Sequence, residues 1–155
     1  MYSETCGVAP SRLVFAPRVP LVEHLARHRH ADLFLDTVPC NAHTTASDAL
    51  WAGLPLLTCV GRTFAGRVAG SLLSAIGLPE LVTHALEDYE RAALALARDP
   101  RRLADLRETL RRRRETAPLF DLPGFTSGLE SAYAAMWRRW RVGERPAEWD
   151  VTVSR

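Results

Sequence analysis

No stretch of the chain approaches the ~20 consecutive apolar residues that a membrane-spanning helix requires. The opening residues, MYSETCGVAP, lack the basic start and apolar core of a secretory signal. Cysteine is scarce. Cys6, Cys40 and Cys59 cannot all pair with one another, and no two stand at zinc-knuckle spacing. A reducing, cytoplasmic setting is the simpler reading. An excess of one charge is missing too: a formal net charge of +2 does not mark a nucleic-acid or membrane-surface binder. There is no internal repeat, no low-complexity linker and no glycine-rich phosphate loop.

What remains is a chain of 155 residues, 47% hydrophobic and 25% charged, which suits one globular domain or one lobe of a larger one. RLVFAP (12–17) reads as a short strand closed by Pro17 and Pro20, and LVEHLARHRH (21–30) as a short helix. ADLFLDT (31–37) and LPLLTCV (54–60) are apolar runs of the kind that form buried parallel strands. Between them a helix starts near Thr44, Thr45 or Ser47 and ends at Gly53. FAGRVAGSLLSAIG (64–77) reads as the next helix, ended by Gly77. Strands alternating with helices predict an α/β fold with a parallel, Rossmann-like sheet. The second half is helical. Tyr89, Ala92, Ala93 and Leu96 form one stripe, Leu103, Leu106 and Leu110 a second, and Leu129, Tyr133, Met136, Trp137 and Trp140 a third. APLFDLPGF (117–125) separates the second from the third, and the tail after Gly143 reads as irregular. The legible strands are fewer than the five or six common in an open α/β sheet, which predicts a piece of something larger.

The chemistry concentrates in CNAHTTASDALWAG (40–53). A helix start presents unpaired N–H groups and a partial positive charge, so His43, Thr44 and Thr45 suit a phosphate, and Asp48 one turn on suits a sugar hydroxyl. The same threonines also suit plain capping, and the spacing leaves both readings open. His24 and His28, four apart, could share a metal, with His30 and Asp32 or Asp36 nearby, yet no second clear ligand pair follows. His24 and Arg27 could equally meet a flat base, or simply face solvent. Arg111–Arg114 and WRRWR (137–141) raise nucleic-acid binding. The apolar stripe instead predicts that Trp137 and Trp140 are packed, with the arginines outward. Cys40 with His43 is a poor nucleophile–base pair, because a turn seldom aligns such neighbours.

Taken together, EHLARHRHADLFLDTVPCNAHTTASDALWAGLPLLTCVGRTFAGRVAGSLL closely resembles the carboxyl-terminal catalytic lobe of the O-linked N-acetylglucosamine transferases, the protein glycosyltransferases related to the plant SPINDLY proteins. The resemblance covers roughly residues 12–146 and includes PLF (118–120) and LESAYAAMW (129–137). It implies one Rossmann-like lobe of a two-lobed GT-B fold, usually preceded by tetratricopeptide repeats. Residues 1–11 would then be the remnant of an upstream helix or linker, 12–116 the nucleotide-sugar lobe, 117–143 a helix packing toward the amino-terminal lobe, and 144–155 an irregular tail. On that arrangement Trp137 and Trp140 lie on a surface left exposed in this chain.

By the same resemblance His24, Arg27 and the backbone near Val19 flank the uracil of UDP-N-acetylglucosamine. His43, Thr44 and Thr45 lie at the diphosphate, Asp48 takes the ribose hydroxyls, and Cys40 borders the N-acetyl pocket. No metal and no cofactor is implied, no catalytic residue is assigned to this chain, and the serine or threonine acceptor protein is held by regions outside it. The sequence departs from the family pattern at Leu21, where a lysine is common, and at Arg62, where a glutamate is frequent.

Overall fold

The computed structural model describes residues 7–149. Three short strands, β1 (Phe34–Leu35), β2 (Leu56–Cys59) and β3 (Val82–Thr83), form a parallel sheet in the order β1-β2-β3. Phe34 lies opposite Leu56 and Leu35 opposite Leu57; Thr58 lies opposite Val82 and Cys59 opposite Thr83. Helix α1 (Leu21–Arg27) precedes β1, α2 (Thr44–Trp51) links β1 to β2, and α3 (Val68–Ala75) links β2 to β3. Helices α4 (Leu86–Ala97), α5 (Pro100–Arg113) and α6 (Leu122–Arg141) follow the sheet. No helix among the described residues is long and apolar enough to cross a membrane.

Two right-handed crossovers stepping the same way across a sheet put their helices on one face. Helices α2 and α3 accordingly pack on each other and on β2, while α4 packs on β2 and on α5 and covers the other face. Every residue of β2 is buried, which is why LPLLTCV is a continuous apolar run instead of an alternating one. The core joins Leu50, Leu56, Leu57, Leu73, Ile76 and Leu78 to Leu106 and Leu110 of α5. Helix α2 stops at Gly53, whose φ of 80° lets its N–H reach Leu50 O (3.1 Å) while Leu54 N reaches Ala49 O (2.8 Å). This double bond pattern satisfies the last carbonyls and turns the chain into β2. Helix α3 ends the same way at Gly77.

RLVFAP does not form the expected strand. Pro10–Arg12 is a single 3-10 turn, residues 13–20 have no regular structure, and Val14 and Phe15 are almost fully exposed. Strand propensity measures fit to a half-buried pleated surface, and no neighbouring strand provides one here. Pro17 and Pro20 also lack ladder donors. The third strand is Val82–Thr83, after a 3-10 turn over Pro79–Leu81. The first predicted helix is α-helical only to Arg27 and then tightens to a 3-10 turn over His28–His30.

The stripes of α4 and α5 pack as their spacing predicts. Leu96, Leu103, Leu106 and Leu110 are buried, and Tyr89, Ala92 and Ala93 lie against them. The stripe of α6 does not pack. That helix starts at Leu122, with Pro123 and Gly124 in its first turn and the Asp121 carboxylate accepting from Gly124 N at 3.0 Å. None of its residues is buried. Trp137 and Trp140 are 58% and 69% exposed and stack on each other at 4.9 Å, so the expectation of packed tryptophans fails among the described residues. A helical period shows which residues share a face, but not whether that face has a partner. Cys6 and the ends of the first and last predicted segments lie outside the described residues.

This division predicts two very different outcomes for one kind of change. Leu56→Ala should cost about 2–5 kcal/mol in urea unfolding, and Leu129→Ala, on the exposed stripe, should stay within about 0.5 kcal/mol.

Candidate functional site

The loops after β1 and β2 meet at the carboxyl end of the sheet, the side on which open α/β folds bind ligands. Asp36 ends β1 and is buried. Its Oδ1 accepts from Thr37 N (2.8 Å) and Ala42 N (2.7 Å), and its Oδ2 from the Thr58 hydroxyl on β2 (2.5 Å). The phenol of Tyr89 on α4 donates to Asp36 O at 2.8 Å. Asn41, also buried, donates its backbone N–H to Ala65 O at 2.9 Å and so ties the first loop to the second. The loops touch so closely that a Cβ on Gly66 would lie 2.9 Å from Pro39 O. The intervening Val38–Pro39 peptide is cis. The sequence offered Asp36 only as a possible companion of His24, His28 and His30 at a metal, and did not single out Asn41. The only signal was a polar residue at each edge of the loop between strand and helix.

The loop delivers the start of α2. His43 occupies the N-cap position, and no side chain caps the helix. Thr44 and Thr45 are already inside the first turn, where a hydroxyl cannot reach forward as a cap does. Both are exposed, and Ser47 caps nothing either. The N–H groups of Thr44, Thr45 and Ala46 find no acceptor among the described residues. The capping reading therefore fails, and the first turn keeps its donors and its partial positive charge. His43 is exposed, lies edge-on to Phe64 at 6.2 Å and donates through Nε2 to Ala65 O at 3.4 Å. Its hydrogen bond goes to Ala65 O and not to Cys40, whose thiol meets Asn41 O (3.7 Å). The Cys40–His43 pair is not a nucleophile and base.

Asp48 stands four residues after Thr44 and so on the same face of α2. Its Oδ2 meets His24 Nε2 of α1 at 3.5 Å. Arg27 donates to His24 Nδ1 at 2.6 Å and, through its other terminal nitrogen, to Pro17 O at 2.8 Å. Arginine only donates, so Nδ1 of His24 is the acceptor and Nε2 carries the proton that faces Asp48. The Pro17 contact fastens the segment containing Val19, which is half-buried, to α1. His28, edge-on to His24 at 4.8 Å, donates through Nδ1 to His24 O. With these nitrogens engaged, the His24–His28 pair is not arranged as a metal site, and no group of three or more potential ligands occurs among the described residues. His30 is exposed and bonded to Arg29. The structure thus brings together His24, Arg27, Asp48 and the Val19 segment on one side, and His43, Thr44 and Thr45 at the helix start. Cys40 is exposed on the connecting loop. Leu21 is exposed on the first turn of α1, and Arg62 is exposed on the second loop.

A model of the family described as glycosyl transferase family 41 matches residues 1–129. The chain belongs to glycosyltransferase family 41. Among its relatives is the Arabidopsis thaliana protein named "Probable UDP-N-acetylglucosamine–peptide N-acetylglucosaminyltransferase SEC", 40% identical over 97% of this chain and 16% of its own length. A Caenorhabditis elegans UDP-N-acetylglucosamine–peptide N-acetylglucosaminyltransferase is 39% identical over 88% of this chain and 12% of its own length. A rice protein carrying the SPINDLY name is 39% identical over 91% of this chain and 15% of its own length. The solved structure of a mutant O-GlcNAc transferase from Thermobaculum terrenum superposes with a TM-score of 0.80 and 42% identity, over 87% of this chain and 26% of that one. This family 41 chain therefore spans about one-sixth or less of these curated relatives and about a quarter of the solved chain. The resemblance read from the sequence and the α/β fold agree with family 41 membership.

The loop anchor yields a prediction about alkaline stability. Burial chiefly, then the Asp36 charge, with a smaller push from Cys59, raise the Tyr89 phenol above its ordinary pKa. As pH climbs past about 10, the unfolded chain gives up this proton first, so the folded chain loses stability until its own phenol titrates. Tyr89→Phe should cost roughly 0.5–1.5 kcal/mol near neutrality through the lost hydrogen bond. It should also lose less of its stability than the parent between about pH 8 and pH 11 in urea unfolding.

Proposed function

We propose that this chain is the nucleotide-sugar-binding lobe of a protein O-linked N-acetylglucosamine transferase, the carboxyl-terminal half of a GT-B pair. The observation that carries the reading is the uncapped first turn of α2, with exposed Thr44 and Thr45 behind His43 and with Asp48 one turn on, met by His24. The names of the relatives, which specify UDP-N-acetylglucosamine and a peptide, support the donor and the acceptor class.

On this reading the diphosphate lies across the exposed N–H groups of Thr44 and Thr45, with the threonine hydroxyls and the His43 imidazole alongside. Asp48 accepts from the ribose hydroxyls. The uracil sits by His24 and the Val19 segment, and Arg27, which holds both in place, offers the plane of its guanidinium. Cys40 borders the acetamido group. In the reaction, the hydroxyl oxygen of an acceptor serine or threonine bonds to the anomeric carbon from the face opposite UDP. The bond from that carbon to the β-phosphate oxygen breaks, its electron pair stays on the phosphate, and the configuration inverts. The hydroxyl proton passes to a base outside this chain. The helix start offsets the charge gathering on the diphosphate, so the reading requires no metal and no cofactor.

The acceptor protein, the amino-terminal lobe and any tetratricopeptide repeats belong to the rest of the enzyme. The stripe of α6 (Leu129, Tyr133, Met136, Trp140) is the surface that would meet that lobe, and residues 144–149, which have no regular structure, follow it. A cytoplasmic location is part of the reading, supported by the free thiols of Cys40 and Cys59. A stand-alone module that binds UDP without catalysis is the alternative. It would bind the donor but transfer nothing when joined to the other lobe and given an acceptor peptide.

Calorimetric titration of UDP into the chain tests the subsite. Each lost charge-assisted hydrogen bond is worth roughly 1.5–3 kcal/mol, so His24→Ala and Asp48→Asn should each weaken binding about tenfold to a hundredfold. Added EDTA should leave the affinity unchanged. Equal binding by all three proteins would remove the subsite assignment, and loss of binding in EDTA would remove metal independence.

A further inference from the structure

Beneath the exposed donor surface lies a polar layer whose two central side chains, Asp36 and Asn41, are only 5% and 4% accessible. We propose that both are positioning residues of the donor site: they touch no ligand, and they set the affinity for the diphosphate by holding the loop on which α2 begins. This inference rests on the donor reading above.

One oxygen of Asp36 gathers the N–H groups of Thr37 and Ala42, drawing the two ends of the loop onto a single atom, while the other oxygen grips Thr58 on β2. Ala42 immediately precedes His43, the N-cap position, so the carboxylate determines where the first turn of α2 points. Asn41 works from the same layer. Its Nδ2 donates to Thr37 O (3.2 Å) and to Cys59 O (3.4 Å), and its backbone N–H donates to Ala65 O. One residue thereby joins the first loop, the end of β2 and the second loop. Ala65 O is also the acceptor of His43 Nε2, so the same joint orients the imidazole at the mouth of the site.

The arrangement has a cost that folding does not require. Asn41 Oδ1 is buried and has no hydrogen-bond donor among the described residues. A buried carbonyl left without a donor disfavours the folded state. An aliphatic side chain would avoid that cost but would lose both Nδ2 bonds, and an aspartate would turn an acceptor toward two carbonyls. Asn41 is the chain's only asparagine, and there is no glutamine. Stability alone does not account for an amide at this point, whereas holding the loop in register with α2 does.

The test is UDP affinity of the chain, measured at a temperature where unfolding curves show each variant fully folded. Asp36→Ala and Asn41→Ala should weaken binding at least about tenfold, since the first turn of α2, and Asp48 with it, shifts relative to His24 on α1. Asp36→Asn can accept both N–H groups and donate to the Thr58 hydroxyl, so it should stay within about threefold of the parent. A role confined to folding would lower the melting temperature of the alanine variants and leave the affinity of the folded chain unchanged; that result overturns the proposal. So does Asp36→Asn binding as weakly as Asp36→Ala, which would make the charge, and not the hydrogen-bonded loop, the operative feature. If Asp36→Ala does not fold, Asn41→Ala decides the same point. The control is Asp48→Asn. A parent that binds UDP, an Asp48→Asn that binds it about tenfold to a hundredfold more weakly, and alanine variants that match the parent would sink the positioning role and leave the donor reading intact. A parent that binds no UDP removes the donor reading and this inference together.

Discussion

The Asp36 carboxylate sits where β1 ends, and the geometry of the candidate site follows from what it collects. Taking a carboxylate out of water is unfavourable unless several donors replace the solvent. Here two backbone N–H groups and a hydroxyl do so, and each fixes a different part of the fold. Thr37 sets the exit from the strand, Thr58 locks β1 to the buried β2, and Ala42 sets the entry to α2. Tyr89, reaching across from α4 to the Asp36 carbonyl, couples the opposite face of the sheet to the same point. The helix start can then remain uncapped, because the preceding loop and not a capping side chain fixes its direction.

How much of this was legible in the sequence depended on whether the cause was local. The central strand β2 and the helix before it could be read because an apolar run, a glycine at a positive φ and the turn that follows are neighbours in the chain; β1 was legible in place but not in burial, since it is an edge strand with Leu35 exposed. The stripes of α4 and α5 could be read because three- and four-residue spacing brings leucines to one face. RLVFAP misled because an apolar run looks the same with or without a strand beside it. Val82–Thr83 escaped because two residues have no period. Asp36 was invisible as an anchor because its donors come from positions one, six and 22 residues away.

The threonines of CNAHTTASDALWAG show how the same residues can be assigned opposite roles. As caps they would consume the donors of the helix start; one position further in, they leave those donors free and add their own hydroxyls. Only the backbone of His43, which lies outside the helical conformation, separates the two cases. The exposed stripe of α6 has a related lesson. Its spacing is as regular as that of α5, yet α5 buries its stripe in a core and no residue of α6 is buried among the described residues.

The central claim is that the free N–H groups opening α2 receive the diphosphate of a UDP-sugar. Backbone amide NMR of the chain titrated with UDP, and in parallel with uridine, tests it most directly. The account predicts that UDP moves the amide resonances of Thr44 and Thr45 more than any others, and that uridine, which has no phosphate, leaves them in place while still moving those of α1 around His24. Saturating UDP that leaves these two amides unmoved, or uridine that moves them equally, would contradict it.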